Sequence, residues 1–162
     1  STADKSVEVR LEMGPESGAL ATGGSPLLST GEKTEDGADL FRALPQLILS
    51  NGDDRNGDEV DGTITFRSPF DDFSSSLLEQ TLKHELGHVL GFLSLSGNPG
   101  VDTPFGAGIE DGSFFGPLAG EVPLADGGHL ENGIMKPSLS DADVTDTEIA
   151  ILGDTGIPVD IA

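Results

Sequence analysis

The segment His84-Glu85-Leu86-Gly87-His88 lies inside an apolar stripe, and it constrains the fold more than any other feature of the chain. Leu78, Leu82, Leu86, Val89, Leu90 and Leu93 recur at three- and four-residue steps, which predicts a helix over 76–93 with one buried face. Ser76 and Glu79 have the spacing of a capping box at its start. On such a helix residues i and i+4 project from one face about one turn apart, so His84 and His88 can reach a single Zn²⁺ at about 2.0–2.1 Å. Glu85 adjoins the first histidine and can approach a water at the ion without ligating, the position of a general base in a zinc hydrolase.

The remaining composition sharpens this expectation. Of 162 residues only three are histidines, and the third, His129, lies in Gly127-Gly128-His129-Leu130-Glu131. A catalytic zinc takes three protein ligands and keeps a fourth position open, so the chain has enough histidines for one such site. There is no cysteine, which removes disulfides, thiolate ligands and thiol nucleophiles. Gly91, three residues after His88, stands where the backbone must leave the helix sharply, a left-handed turn that glycine makes at least cost. The formal net charge is −21, from 29 acidic and 8 basic residues, which argues against nucleic-acid and membrane-surface partners. No apolar run approaches the roughly 20 residues of a membrane span.

The sequence His84-Glu85-Leu86-Gly87-His88-Val89-Leu90-Gly91-Phe92, followed later by His129 and by Gly133-Ile134-Met135-Lys136-Pro137, resembles the metzincin clan of zinc endopeptidases. In most metzincins a third histidine follows the glycine by three residues, where this chain has Ser94. The chain is therefore more similar to the leishmanolysin-type arrangement, with an insertion before the third histidine, than to matrixins or astacins. The resemblance covers 76–93 and about 127–157, and is weak over 1–75. It implies His84, His88 and His129 as zinc ligands, Glu85 as general base, and Met135 in a turn forming an apolar floor under the metal. It implies peptide-bond hydrolysis by a zinc-activated water, with Pro137, Ser138 and Leu139 and the insertion shaping the pocket. Many clan members place a tyrosine soon after that methionine, whereas this chain has no tyrosine at all.

The fold implied is α/β (α+β), a single catalytic domain over 1–162. Residues 1–93 would form an upper subdomain, with a twisted mixed sheet from 6–13 and 63–66 backed by the 76–93 helix. Residues 94–162 would form a mostly irregular lower subdomain with a C-terminal helix, capped by Thr145 and Glu148 and stopped near Gly153 and Gly156. Residues 6–13 alternate as a half-buried strand, 14–37 read as loop, 38–50 as a helical face or, with Pro45 interrupting it, a short helix then a strand, and 94–128 as an irregular functional insertion. Asp141, Asp143 and Asp146 read as helix N-terminal charge and surface. Asp54, Asn56, Asp58 and Asp61 place oxygens near the spacing of a Ca²⁺ loop, set against a plain solvated acidic turn.

A protein or peptide substrate and a monomeric state are expected. The acidic surface fits an extracellular, secreted or salt-adapted setting, and Ser1 suggests a mature or excised chain. Two competing readings stay open: a zincin whose third ligand is an acid such as Glu110 or Glu121, and a catalytically silent metal-stabilised binding domain.

Overall fold

The computed structural model describes residues 5–15, 19–67, 74–95, 97–138 and 142–160. Its architecture is mixed α and β, with three small sheets and four helices among these residues. The first sheet has the order β1-β5-β2, from β1 (Val9–Gly14), β5 (Gly62–Arg67) and β2 (Ala21–Gly24). β1 runs parallel to β5 and β2 antiparallel to it. β3 (Leu27–Lys33), β4 (Asp39–Ala43) and β6 (Val101–Asp102) form the second, and β10 (His129–Leu130), β9 (Gly120–Asp126), β8 (Ser113–Gly116) and β7 (Ile109–Glu110) the third.

Helix α2 (Ser75–Leu90) backs the first sheet. Ile64 and Phe66 of β5 bury against Val89, with Leu78, Leu82 and Leu86 packed around them. Leu78, Leu82, Leu86 and Val89 of the expected stripe pack here because they recur on one helix face, whereas Leu93 lies beyond the helix and is exposed. Its start lies elsewhere than expected. Ser74 caps it by accepting the Leu77 N–H, Glu79 pairs with Lys83, and Ser76 accepts from Gln80 instead. Its last residue is Leu90, three short of the expected 93, and Gly91 caps it through a left-handed backbone with φ 119°, the sharp exit expected of that glycine.

Several expectations for the irregular stretches are corrected. Residues 14–37 contain β2 and β3 rather than loop alone. The 38–50 region runs in the reverse order, strand β4 then helix α1 (Leu44–Asn51), because Pro45 suits a first helical turn, where its missing N–H costs nothing. The supposedly irregular 94–128 stretch folds into β6, the short helix α3 (Pro104–Ala107) and most of the antiparallel third sheet. β1 forms within the expected region but spans Val9–Gly14 rather than 6–13, and Leu11 and Met13 on its inferred inner face are 57% and 51% exposed.

A second core gathers Phe92, Phe105, Phe114, Val122, Leu130, Ile134, Met135 and Ile151. Phe105 sits between Phe92 and Phe114, each with ring centroids 5.3 Å away. Ile151 comes from α4 (Asp146–Asp154), whose Thr145–Glu148 capping box forms as predicted. Asp146 occupies its first turn, but Asp143 instead pairs with Lys83 of α2 at 2.9 Å. Asp141 lies outside the described residues. No described helix is long and apolar enough to cross a membrane.

Candidate metal centre

The fold brings the three histidines together. His84 and His88 come from consecutive turns of α2, and His129 from β10. Their ring centroids lie 4.9, 5.2 and 5.0 Å apart in the three pairs. One nitrogen from each falls within 4.8 Å of the others, a spacing at which the group could hold a metal ion. Among the described residues this is the one cluster of three or more histidine or carboxylate ligands.

Each ring is fixed by its Nδ1. His84 Nδ1 lies 2.7 Å from the Ile134 carbonyl oxygen, and His88 Nδ1 lies 2.8 Å from that of Phe92. A carbonyl oxygen can only accept, so these nitrogens carry the protons and the Nε2 lone pairs remain for a metal. His129 Nδ1 meets both oxygens of Asp126, at 2.8 and 2.9 Å. Carbonyl and carboxylate partners of this kind orient metal-ligating histidines and raise their basicity.

Local structure explains each partner. The N–H of Phe92 bonds the Gly87 carbonyl and that of Gly91 the His88 carbonyl, the paired bonds of a Schellman turn. Gly91 supplies the left-handed residue, and the turn carries the Phe92 carbonyl back over His88. Asp126 precedes His129 by three residues and closes the β9–β10 turn by accepting the Gly128 N–H. Ile134 belongs to the turn that ends in Met135, which is fully buried. The Met135 sulfur packs against Gly87, where any Cβ would collide with it.

Glu85 is buried in the same cleft. Burial pushes its carboxyl up to about 7, against an opposing hydrogen bond from the Gly23 backbone. Burial also lowers the pKa of His84 and His88, opposed by the carbonyls on their Nδ1 atoms. Metal binding needs neutral imidazole, so this environment prepares both rings for it. Burial raises the carboxyl of Asp126, but the Gly128 and His129 hydrogen bonds prevail and hold it below the usual carboxylate range.

The cleft, about 700 Å³, is walled by α2 on one side and by residues 19–23 leading into and along β2 on the other, with Pro137 and Ser138 at its margin. Gly23 lies close against Glu85 of α2. A Cβ there would stand 2.6 Å from the Glu85 carbonyl oxygen and 3.0 Å from its Oε2. A larger groove of about 940 Å³ lies between β4, β6 and α3 and contains none of the histidines.

Ser94 packs near Gly106 of α3 and stands outside the histidine group. The alternative acidic ligands do not join it either: Glu110 lies exposed on β7 and Glu121 exposed on β9. Leu139, expected near the pocket, lies outside the described residues. Sequence reasoning missed Asp126, the Phe92 and Ile134 carbonyls, and β2. Of these only Asp126 left a signal, an acid three residues before the third histidine. Comparison with family models, curated proteins and solved structures finds no match to this chain.

Proposed function

We propose that this chain is a zinc-dependent endopeptidase. The observation that carries the reading is a tripod of imidazoles, each anchored through Nδ1, gathered in one cleft beside a buried glutamate. The donor set fits zinc: three nitrogens and no thiolate, on a cleft that leaves room for a further ligand. When bound, zinc supplies Lewis acidity towards a carbonyl group and a water.

The chain's own groups supply the rest. Glu85, a carboxyl group buried in the same cleft as the histidines, can both take a proton from a nucleophilic water and return it to a leaving amine. β2 is the last strand of its sheet, so its outer edge has no strand partner among the described residues, and it lines the cleft. An extended peptide can add to such an edge through main-chain hydrogen bonds, which favours a polypeptide over a small ester or sugar. The acidic, cysteine-free surface supports an extracellular or high-salt setting.

The test is casein cleavage by the metal-loaded chain, with metal content measured on the same sample. Cleavage should need one zinc per chain, stop with chelator, and fall at least 100-fold in Glu85→Gln while zinc stays bound. Zinc binding without cleavage would overturn the peptidase reading in favour of a metal-stabilised binding domain.

A further inference from the structure

The loop between α1 and β5 buries two oxygens that have no hydrogen-bond partner, Asn56 Oδ1 and Asp61 Oδ1. Both belong to the series Asp54, Asn56, Asp58, Asp61, in which oxygen-bearing side chains recur at short intervals. We infer that this loop is a calcium site, built on Asn56 and Asp61.

The loop's hydrogen bonds hold these two residues near one another. Asp54 Oδ1 accepts the N–H groups of Asn56 and Gly57 at 3.3 and 3.1 Å, which sets the turn. Asn56 Nδ2 then reaches across the loop to the Val60 carbonyl at 3.0 Å, the peptide unit that leads into Asp61. Asp61, only 3% exposed, receives the Glu8 N–H on Oδ2 at 2.8 Å and returns its own N–H to the Glu8 carbonyl at 2.8 Å. What remains is one amide oxygen and one carboxylate oxygen, both shielded from solvent.

Two buried acceptors are not satisfied by each other. Leaving such a group unmade is costly, more so for a carboxylate. Arg55, the basic residue within the loop, points its donors elsewhere, to Asp53 and the Ser29 carbonyl. A cation would serve both oxygens at once. The donors are hard oxygens, and Asp53, Asp54 and Asp58 add negative charge on the same loop. Calcium accepts amide, carboxylate, main-chain and water oxygens in irregular arrangements, whereas magnesium demands near-ideal octahedra. No three carboxylates of the loop come within ligand distance of one another, so amide, main-chain and water oxygens must complete the shell. The ion would pin the start of β5, the central strand behind α2, to the chain entering β1. None of this depends on the histidine centre.

The test is equilibrium dialysis of the zinc-loaded chain against CaCl₂, with melting followed by circular dichroism because the chain has no tryptophan or tyrosine. A −21 chain gains from any added salt, so each melt is compared with NaCl at equal ionic strength. We expect one calcium per chain and a Tm rise of roughly 5–10 °C at calcium 100-fold above Kd. The rise should vanish in Asn56→Leu and Asp61→Asn and persist in Asp146→Asn. Absence of stoichiometric binding at millimolar calcium, a rise no larger than that in NaCl, or an undiminished rise in Asn56→Leu would each overturn the site. Should Asp61→Asn fail to fold, the wild-type stoichiometry and the Asn56→Leu melts decide.

Discussion

The buried carboxylate of Glu148 accepts the backbone N–H of Met135 through Oε1 at 2.7 Å, while its Oε2 accepts the N–H of Thr145 at 2.7 Å. One side chain therefore caps α4 and pins the turn under the histidines. That turn also presents the Ile134 carbonyl to His84 Nδ1, so the last helix is tied to the first histidine of the cluster through two residues. Gly133, with φ 86°, lets the turn pass close to Glu148.

Glu148→Ala should therefore weaken both fold and site. Loss of the cap costs about 1 kcal/mol, and the stranded Met135 N–H about 1–3 kcal/mol more. With the Ile134 carbonyl no longer held, zinc affinity should drop by about 10–100-fold, the usual range for removing an orienting partner. Urea unfolding of the metal-free chain measures the first effect and chelator competition the second. Unchanged zinc affinity in a destabilised protein would show that Glu148 acts on the fold alone.

Asp126→Ala separates orientation from stability more cleanly. Asp126 is exposed, and its carboxylate holds His129 Nδ1 and the Gly128 N–H in one short turn. Removing it should cost under about 1 kcal/mol of stability, as exposed pairs do, yet reduce zinc affinity about 10–100-fold. Asp126→Asn, which keeps an acceptor oxygen, should recover part of that loss. Equal affinities for Asp126→Ala and wild type would rule out the orienting role.

Gly87→Ala tests the contact between helix and floor. The Met135 sulfur occupies the space a Cβ would need, so alanine overpacks the junction and should cost about 1–3 kcal/mol despite its better helix propensity. Combining it with Met135→Ala should recover part of that cost, since the two changes touch and their effects cannot add. Denaturant melts of the four proteins form the cycle. Strict additivity would mean the sulfur is not what the alanine strikes.

These relationships show how far the sequence could be read. Helical spacing alone places His84, Glu85 and His88 on one buried-to-open face, and a fixed period makes such a face legible. Gly91 was legible because the helix had to stop there, but the consequence was not. Its turn aims a main-chain carbonyl at His88, and carbonyls carry no residue signature. β2 was illegible for the same reason. Ala-Thr-Gly-Gly has no alternation, and the strand is held by its ladder to β5 and by Gly23 lying against α2. Three serines in a row, Ser74 to Ser76, can each cap a helix, and only the register of the folded turn selects Ser74. The third sheet was hidden because its short strands are interrupted by glycine and proline at nearly every turn.

The pH dependence of the metal-free chain should show two opposed slopes. Glu85 has its carboxyl raised from 4.5 to about 7 by burial, so the folded chain holds that proton more tightly than the unfolded chain. Its contribution to stability is complete below about pH 4.5 and is lost as pH rises to about 7. His84 and His88 are shifted down from 6.5, so the unfolded chain binds their protons more tightly. Their contribution is complete above about pH 6.5 and is lost as pH falls. Glu85→Gln removes the first slope and leaves the second. The variant should therefore melt above wild type at pH 8, by on the order of 1–3 kcal/mol, and level with it near pH 4.5. Metal-free melts at both pH values measure this, and a gain of equal size at pH 4.5 would show that the glutamate is destabilising for some reason other than its buried charge.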